Sequence, residues 1–80
     1  MQIKILAFGI AKDIIGGASL EIQLPPGATV GTLKTNLSRQ FPDFQRLASL
    51  SVAVNTEYAG DDQTLHEQDE IVLIPPVSGG

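Results

Sequence analysis

The 80-residue chain has no cysteine and no tryptophan, and only one histidine, one methionine and one tyrosine. Without a thiol it can build no disulfide staple, no thiolate zinc site and no iron-sulfur cluster, which sets the small ferredoxins aside. Any sulfur chemistry must run through another group. His66 has no second histidine with which to hold zinc or form a catalytic dyad, and it is assigned no role. Positive charge is scarce as well: Lys4, Lys12, Lys34, Arg39 and Arg46 are scattered among nine acidic residues, for a formal net charge of −4. With no basic stripe to neutralise phosphates, neither nucleic acid nor an anionic membrane surface is an expected partner. Long hydrophobic runs are missing too. Met1 to Ala11 is apolar but broken by Lys4, and no small-residue cleavage site precedes Lys12 and Asp13. Neither a signal peptide nor a membrane span is expected, and the expected location is cytoplasmic.

What is present describes a small compact domain. Apolar residues make up 42% of the chain and charged residues 18%, a globular balance rather than a disordered one. A chain of this size buries only about 60% of the surface its unfolded form exposes, so the core is thin and a large enclosed active site is not expected. Asp61, Asp62, Glu67, Asp69 and Glu70 cluster without the spacing of a calcium loop. They read as a solvated acidic face, suited to a basic partner surface, rather than a metal site.

Ile3-Lys4-Ile5-Leu6-Ala7-Phe8 alternates with a period of two and predicts a strand. Ser19 to Leu24 alternates again after the Gly16-Gly17 turn, and the two are expected to pair as a hairpin across a long connection, Ile10 to Ala18. Pro25-Pro26-Gly27 ends the second strand. Thr29 is placed to cap a helix whose Val30, Leu33, Leu37 and Phe41 form one apolar stripe, and Pro42 stops it. A short strand over Ser51 to Asn55, a turn over Asn55-Thr56-Glu57-Tyr58 into a further short strand, and a last strand over Glu70 to Ile74 complete the pattern. Hairpin, helix, then two or three strands fit an α+β, β-grasp (ubiquitin-like) fold, with a mixed sheet wrapped on one amphipathic helix. The expected division is a β-grasp domain over 1–74 and an extended tail over 75–80.

Strand parity bears on function. Leu6 and Phe8 share the side of Lys4, and Val72 and Ile74 share the side of Glu70. If Ile3 and Ile5 face the helix, these four apolar side chains lie on the open side of the sheet. They are either scattered surface hydrophobes or a contiguous patch on which a partner docks.

The chain closes on Pro75-Pro76-Val77-Ser78-Gly79-Gly80. The prolines stiffen and extend it, and the six residues span about 18–20 Å. Glycines without Cβ atoms pass through a channel that excludes every other residue and become ordered only inside a partner. Adenylation by ATP would make a terminal carboxylate electrophilic. A sulfur nucleophile would then convert it to a thiocarboxylate, which allows sulfur delivery without cysteine. A frayed end is the bland alternative for two terminal glycines, but the prolines and the strand before them aim the tail away from the fold. Ser78 has no histidine base near it in sequence and reads as a small tail residue, not a nucleophile.

Val54-Asn55-Thr56-Glu57-Tyr58, Leu65 and the run from Asp69-Glu70 through Ile71-Val72-Leu73-Ile74 to PPVSGG resemble the small subunits of molybdopterin synthase, the sulfur carriers of molybdenum-cofactor biosynthesis. Ile3 to Phe8 and Ala11 to Gly16 resemble that family's first strand and following loop; Glu21 to Leu50 matches in pattern only. The resemblance implies that Gly80 is adenylated by an enzyme related to ubiquitin-activating enzymes, which uses ATP, and is then thiocarboxylated. It implies that the tail (Pro75, Pro76, Val77, Ser78, Gly79) inserts into the synthase large subunit. There, two sulfur transfers convert cyclic pyranopterin monophosphate into the molybdopterin dithiolene. No cofactor is expected to be bound, and the chain is not expected to be catalytic alone. Phe8, Tyr58 and Ile74 fall where relatives place apolar partner contacts, which favours a docking patch of Leu6, Phe8, Tyr58, Val72 and Ile74. Lys12 stands where many relatives have arginine, so a salt bridge or phosphate contact there loses the planar fork.

Other readings share these residues. The sulfur carrier of thiamine thiazole synthesis has the fold and the Gly-Gly end, and the proline pair before Val77 argues against it. A ubiquitin-like modifier would join Gly80 to a target lysine. An inert binding module would use the sheet face alone.

Overall fold

The computed structural model describes residues 1–47 and 49–76. Five strands form one mixed sheet: β1 (Gln2–Ala7), β2 (Ser19–Gln23), β3 (Ser51–Val54), β4 (Glu57–Ala59) and β5 (Ile71–Ile74), in the spatial order β2-β1-β5-β3-β4. Strand β1 pairs antiparallel with β2, through Ile3 opposite Ile22 and Ile5 opposite Leu20, and parallel with β5, through Ile5 opposite Ile71 and Ala7 opposite Leu73. Thus β5, late in sequence, occupies the centre. Helix α2 (Val30–Gln40) supplies Val30, Leu33 and Leu37 to a core that also holds Ile3, Ile5, Ile22, Val52, Val54, Ile71 and Leu73. The α+β, β-grasp expectation holds.

Thr29 caps α2 as its position suggested, its Oγ1 accepting the Thr32 N–H at 3.3 Å. Two more N–H groups of the first turn find partners in a distant loop: Val30 donates to Gln63 O and Gly31 to Asp61 O, each at 2.9 Å. Pro42 stops the helix by opening a 3₁₀ turn over Pro42–Arg46, which carries Phe44 into the core. Phe41 and Phe44 then meet edge to face, with ring centroids 6.2 Å apart.

The connection between β1 and β2 differs from expectation. It contains a second helix, α1 (Gly9–Ile15), where the sequence suggested an irregular link. Seven residues rich in β-branched side chains make a poor isolated helix. Burial of Ala11, with Ile14 and Ile15 packed against the core, stabilises it. Gly16, at φ +81°, closes its end, and the N–H groups of Gly16 and Gly17 donate to Lys12 O at 3.0 and 3.1 Å. No described helix is long and apolar enough to cross a membrane.

Candidate functional site

Alternation sends Ile3, Ile5 and Ala7 of β1 into the core and leaves Leu6 half-buried on the opposite side. The same holds for β5, where Ile71 and Leu73 are buried while Val72 and Ile74 remain half-exposed. Pairing then decides whether these residues meet. Leu6 lies opposite Val72, Val72 opposite Ala53, and Ala53 opposite Tyr58, and directly opposed residues project from the same face. Leu6, Val72, Ala53 and Tyr58 therefore form one row across four strands. Tyr58 is 74% exposed, whereas Ala53, flanked by Val72 and Tyr58 and outside the main core cluster, is covered by its neighbours. Ile74 adds to the row from beside Ser51.

The row is apolar at one end of the open face only. Gln2, Lys4, Glu21 and Glu67 gather at the other end, where Gln2 donates hydrogen bonds to both glutamates. Because β1 and β5 are parallel, their C-terminal ends emerge together at the apolar end. Phe8, 58% exposed, leaves β1 there, and Pro75 and Pro76, both half-buried, leave β5 beside it. Of the residues inferred from parity and resemblance, Leu6, Phe8, Val72 and Ile74 thus lie on or at the end of the two strands that lead to the tail root, and Tyr58 lies two strands away on β4. Val77, Ser78, Gly79 and Gly80 lie outside the described residues. Lys12 is exposed on α1, on the connection rather than on the sheet face.

Tyr58 follows the turn expected at Asn55 to Tyr58, which is held by contacts that local sequence pattern does not reveal. Asn55 and Thr56, at φ +53° and +72°, make the tight β3–β4 turn, a left-handed pair whose twist suits a two-residue hairpin. The Asn55 side chain ties this turn to the start of β5: Oδ1 accepts the Glu70 N–H and Nδ2 donates to Asp69 Oδ1, each at 2.9 Å. The Asn55 N–H donates to Glu70 O, also at 2.9 Å. On its other oxygen, Asp69 accepts the His66 N–H at 2.9 Å, with the His66 ring Nδ1 3.6 Å away. Burial pushes the Asp69 carboxyl up. The hydrogen bonds from Asn55 and His66 and the nearby imidazole outweigh it and hold the group below the usual aspartate range. An Asn in a tight turn followed about fifteen residues later by an acidic residue before a strand is too weak a signal to read in sequence.

The acidic cluster is a solvated face as expected, with Asp69 the exception. The Asp69 side chain is only 13% exposed and braces the hairpin, and Asp61 pairs with Lys34 at 2.9 Å beside the start of α2. Asp61, Asp62, Glu67 and Glu70 are all exposed. Among the described residues no group of three or more His, Asp or Glu side chains is placed to hold a metal ion.

The family model that matches is that of the ThiS family, over residues 5–80. The molybdopterin synthase sulfur carrier subunit of Dictyostelium discoideum is 41% identical, with 99% of this chain and 96% of that protein covered. Its counterpart in Arabidopsis thaliana is 35% identical, covering all of this chain and 84% of that protein. Among solved structures, SAMP1 of Haloferax volcanii, a small archaeal modifier protein, matches with a TM-score of 0.84 at 25% identity, all of both chains being covered.

Proposed function

The chain belongs to the ThiS family, and on that premise we propose that it is a sulfur carrier, the small subunit of a molybdopterin synthase, with Gly80 as its reactive end. An adenylating enzyme joins the Gly80 carboxylate to the AMP portion of ATP, releasing pyrophosphate. A sulfur nucleophile then displaces AMP to leave a thiocarboxylate. The open face docks on the synthase large subunit, the tail enters that subunit's active site, and the sulfur passes to cyclic pyranopterin monophosphate on the way to the dithiolene. The domain itself performs no catalysis. Residues 1–74 act as the handle and 75–80 as the arm.

One observation carries this reading: the apolar row and the tail root share one edge of the sheet, since β1 and β5 run parallel into it. A partner gripping Leu6, Phe8, Tyr58, Val72 and Ile74 has the arm leaving directly beside it. The names of the Dictyostelium and Arabidopsis relatives support the pathway. The likeness to the Haloferax modifier favours one second reading, in which the same activated Gly80 forms an isopeptide bond with a lysine.

The test is incubation with ATP, the adenylating enzyme and a sulfur donor, followed by mass spectrometry of the intact chain. Exchange of one oxygen for sulfur at Gly80 is the expected product, and deletion of Gly80 abolishes it. Lysine-linked adducts in its place establish the modifier. A natural mature chain that continues untrimmed beyond Gly80 overturns both.

A further inference from the structure

The sheet ends on β2, and the ladder decides which of that strand's backbone groups are spare. At one end of the β1–β2 pair Met1 and Leu24 exchange both hydrogen bonds, at 2.7 and 2.9 Å, and at the other the Ala7 N–H donates to Ala18 O at 2.9 Å. Bonded and non-bonded pairs alternate between antiparallel strands. Ile22 and Leu20 therefore turn their N–H and C=O groups toward β1, opposite Ile3 and Ile5, while those of Ser19, Glu21 and Gln23 point outward. All three residues are exposed, and no described residue bonds to their outward groups. Neither a bulge nor a proline interrupts this edge. At the opposite edge the two-residue turn makes Val54 and Glu57 a bonded pair, so in β4 only Tyr58 points outward.

The side chains restrict what can pair there. Leu20 points to the covered face, opposite the fully buried Ile5, yet is itself only half-buried because no strand lies beyond it. Glu21 points to the open face, where Gln2 donates to one of its carboxylate oxygens and no described residue bonds to the other. On its inner side β2 already receives an apolar-basic-apolar run, Ile3-Lys4-Ile5, set opposite Ile22, Glu21 and Leu20. Its outer side offers the same three side chains to a further strand. A second copy of the chain fits poorly, because antiparallel pairing of two β2 strands through all three outward residues sets like charges at Glu21 directly against each other. We propose that the free edge of β2 takes an extended segment of another protein as a sixth, antiparallel strand, with an apolar-basic-apolar run against Ile22, Glu21 and Leu20. The basic side chain meets the Glu21 carboxylate, the apolar ones cover Leu20 and Ile22, and the outward N–H and C=O groups complete the ladder. This site lies beyond the sulfur-carrier reading and does not depend on it.

The probe is a synthetic peptide with blocked ends, Gln-Ile-Lys-Ile-Leu-Ala, which carries the pattern of β1. Amide hydrogen exchange of the full chain is followed by NMR with and without about 1 mM peptide. The expected result is exchange slowed at least about twofold at Ser19, Glu21 and Gln23, which corresponds to a Kd of about 1 mM or tighter. Leu20 and Ile22, already bonded to β1, should not change. A peptide with glutamate in place of lysine should bind about fivefold more weakly, and Glu21→Lys should reverse that preference. Glu21→Pro removes one outward N–H at a position where an edge strand tolerates proline, and should abolish the protection of Ser19 and Gln23. The wild-type exchange pattern decides the matter if that variant does not fold. The proposal is overturned if the outward amides gain no protection, if exchange at Leu20 and Ile22 changes because the peptide displaces β1, or if both peptides bind equally well. Protection that appears without peptide and grows with protein concentration overturns it in favour of a second copy.

Discussion

Val72 and its chain neighbours Ile71 and Leu73 are similar in chemistry and opposite in use. Ile71 and Leu73 are fully buried beneath α2, while Val72 lies half-exposed in the row that ends at Tyr58. The two faces of one sheet thus carry comparable aliphatic side chains for different purposes. Burial on the covered face stabilises the domain by about 25 cal/mol for each Å² removed from water. On the open face the same kind of surface stays accessible to solvent, and on the proposed reading its burial is left to a partner. An 80-residue chain with a thin core can leave such a patch uncovered because the covered face is so completely enclosed.

The sharpest way to break this contrast is to remove a side chain from the covered face. Leu33→Ala, at a residue with no exposed surface, is expected to lose about 3 kcal/mol in chemical denaturation while partner affinity, measured on the folded fraction, stays the same. The converse experiment is Tyr58→Ala. With the ring mostly in solvent, unfolding free energy should move by no more than about 0.5 kcal/mol, while calorimetric binding to the large subunit weakens by at least about tenfold. If Tyr58→Ala instead destabilises the fold and spares binding, the division between the faces fails.

A smaller effect concerns the brace that holds Tyr58 in the row. Asp69→Ala leaves Asn55 Nδ2 and the His66 N–H without their acceptor and is expected to cost about 1–2 kcal/mol at neutral pH. The sign with pH follows from linkage. The folded carboxyl titrates below its usual range, so the unfolded chain binds the proton more readily and stability rises with pH. The contribution is complete above the ordinary aspartate value of about 3.9 and is lost as pH falls through the folded one. Thermal melts from neutral pH downward should therefore show the wild type and Asp69→Ala converging in the acid range. A gap that widens on acidification contradicts the brace.

Much of the fold and of the candidate docking face is legible in local pattern alone. Alternation in Ile3 to Phe8 and in Glu70 to Ile74 assigns each side chain to a face, and the Val30, Leu33, Leu37 stripe with Thr29 ahead of it marks α2. Helix α1 escapes such a reading because Ile10, Ile14 and Ile15 favour strands and seven residues give too short a period to recognise; it exists because Ala11 is buried and Gly16 closes the end. Phe44 escapes for a related reason. A single aromatic after a helix-stopping proline has no periodicity, and the 3₁₀ turn alone brings it inward. The Asn55–Asp69 brace joins residues that no local rule connects.

By itself the sequence settled which side chains could share a face, because the two-residue repeat of a strand is a property of the backbone and needs no distant partner. Whether Leu6, Val72 and Tyr58 would fall in one row, and whether Pro75 would leave beside Leu6 and Val72, depended on β5 inserting between β1 and β3. That placement was decided only in three dimensions. A parallel pairing between residues some 66 positions apart, such as Ile5 with Ile71, has no turn to announce it and is chosen by burial of the whole core at once.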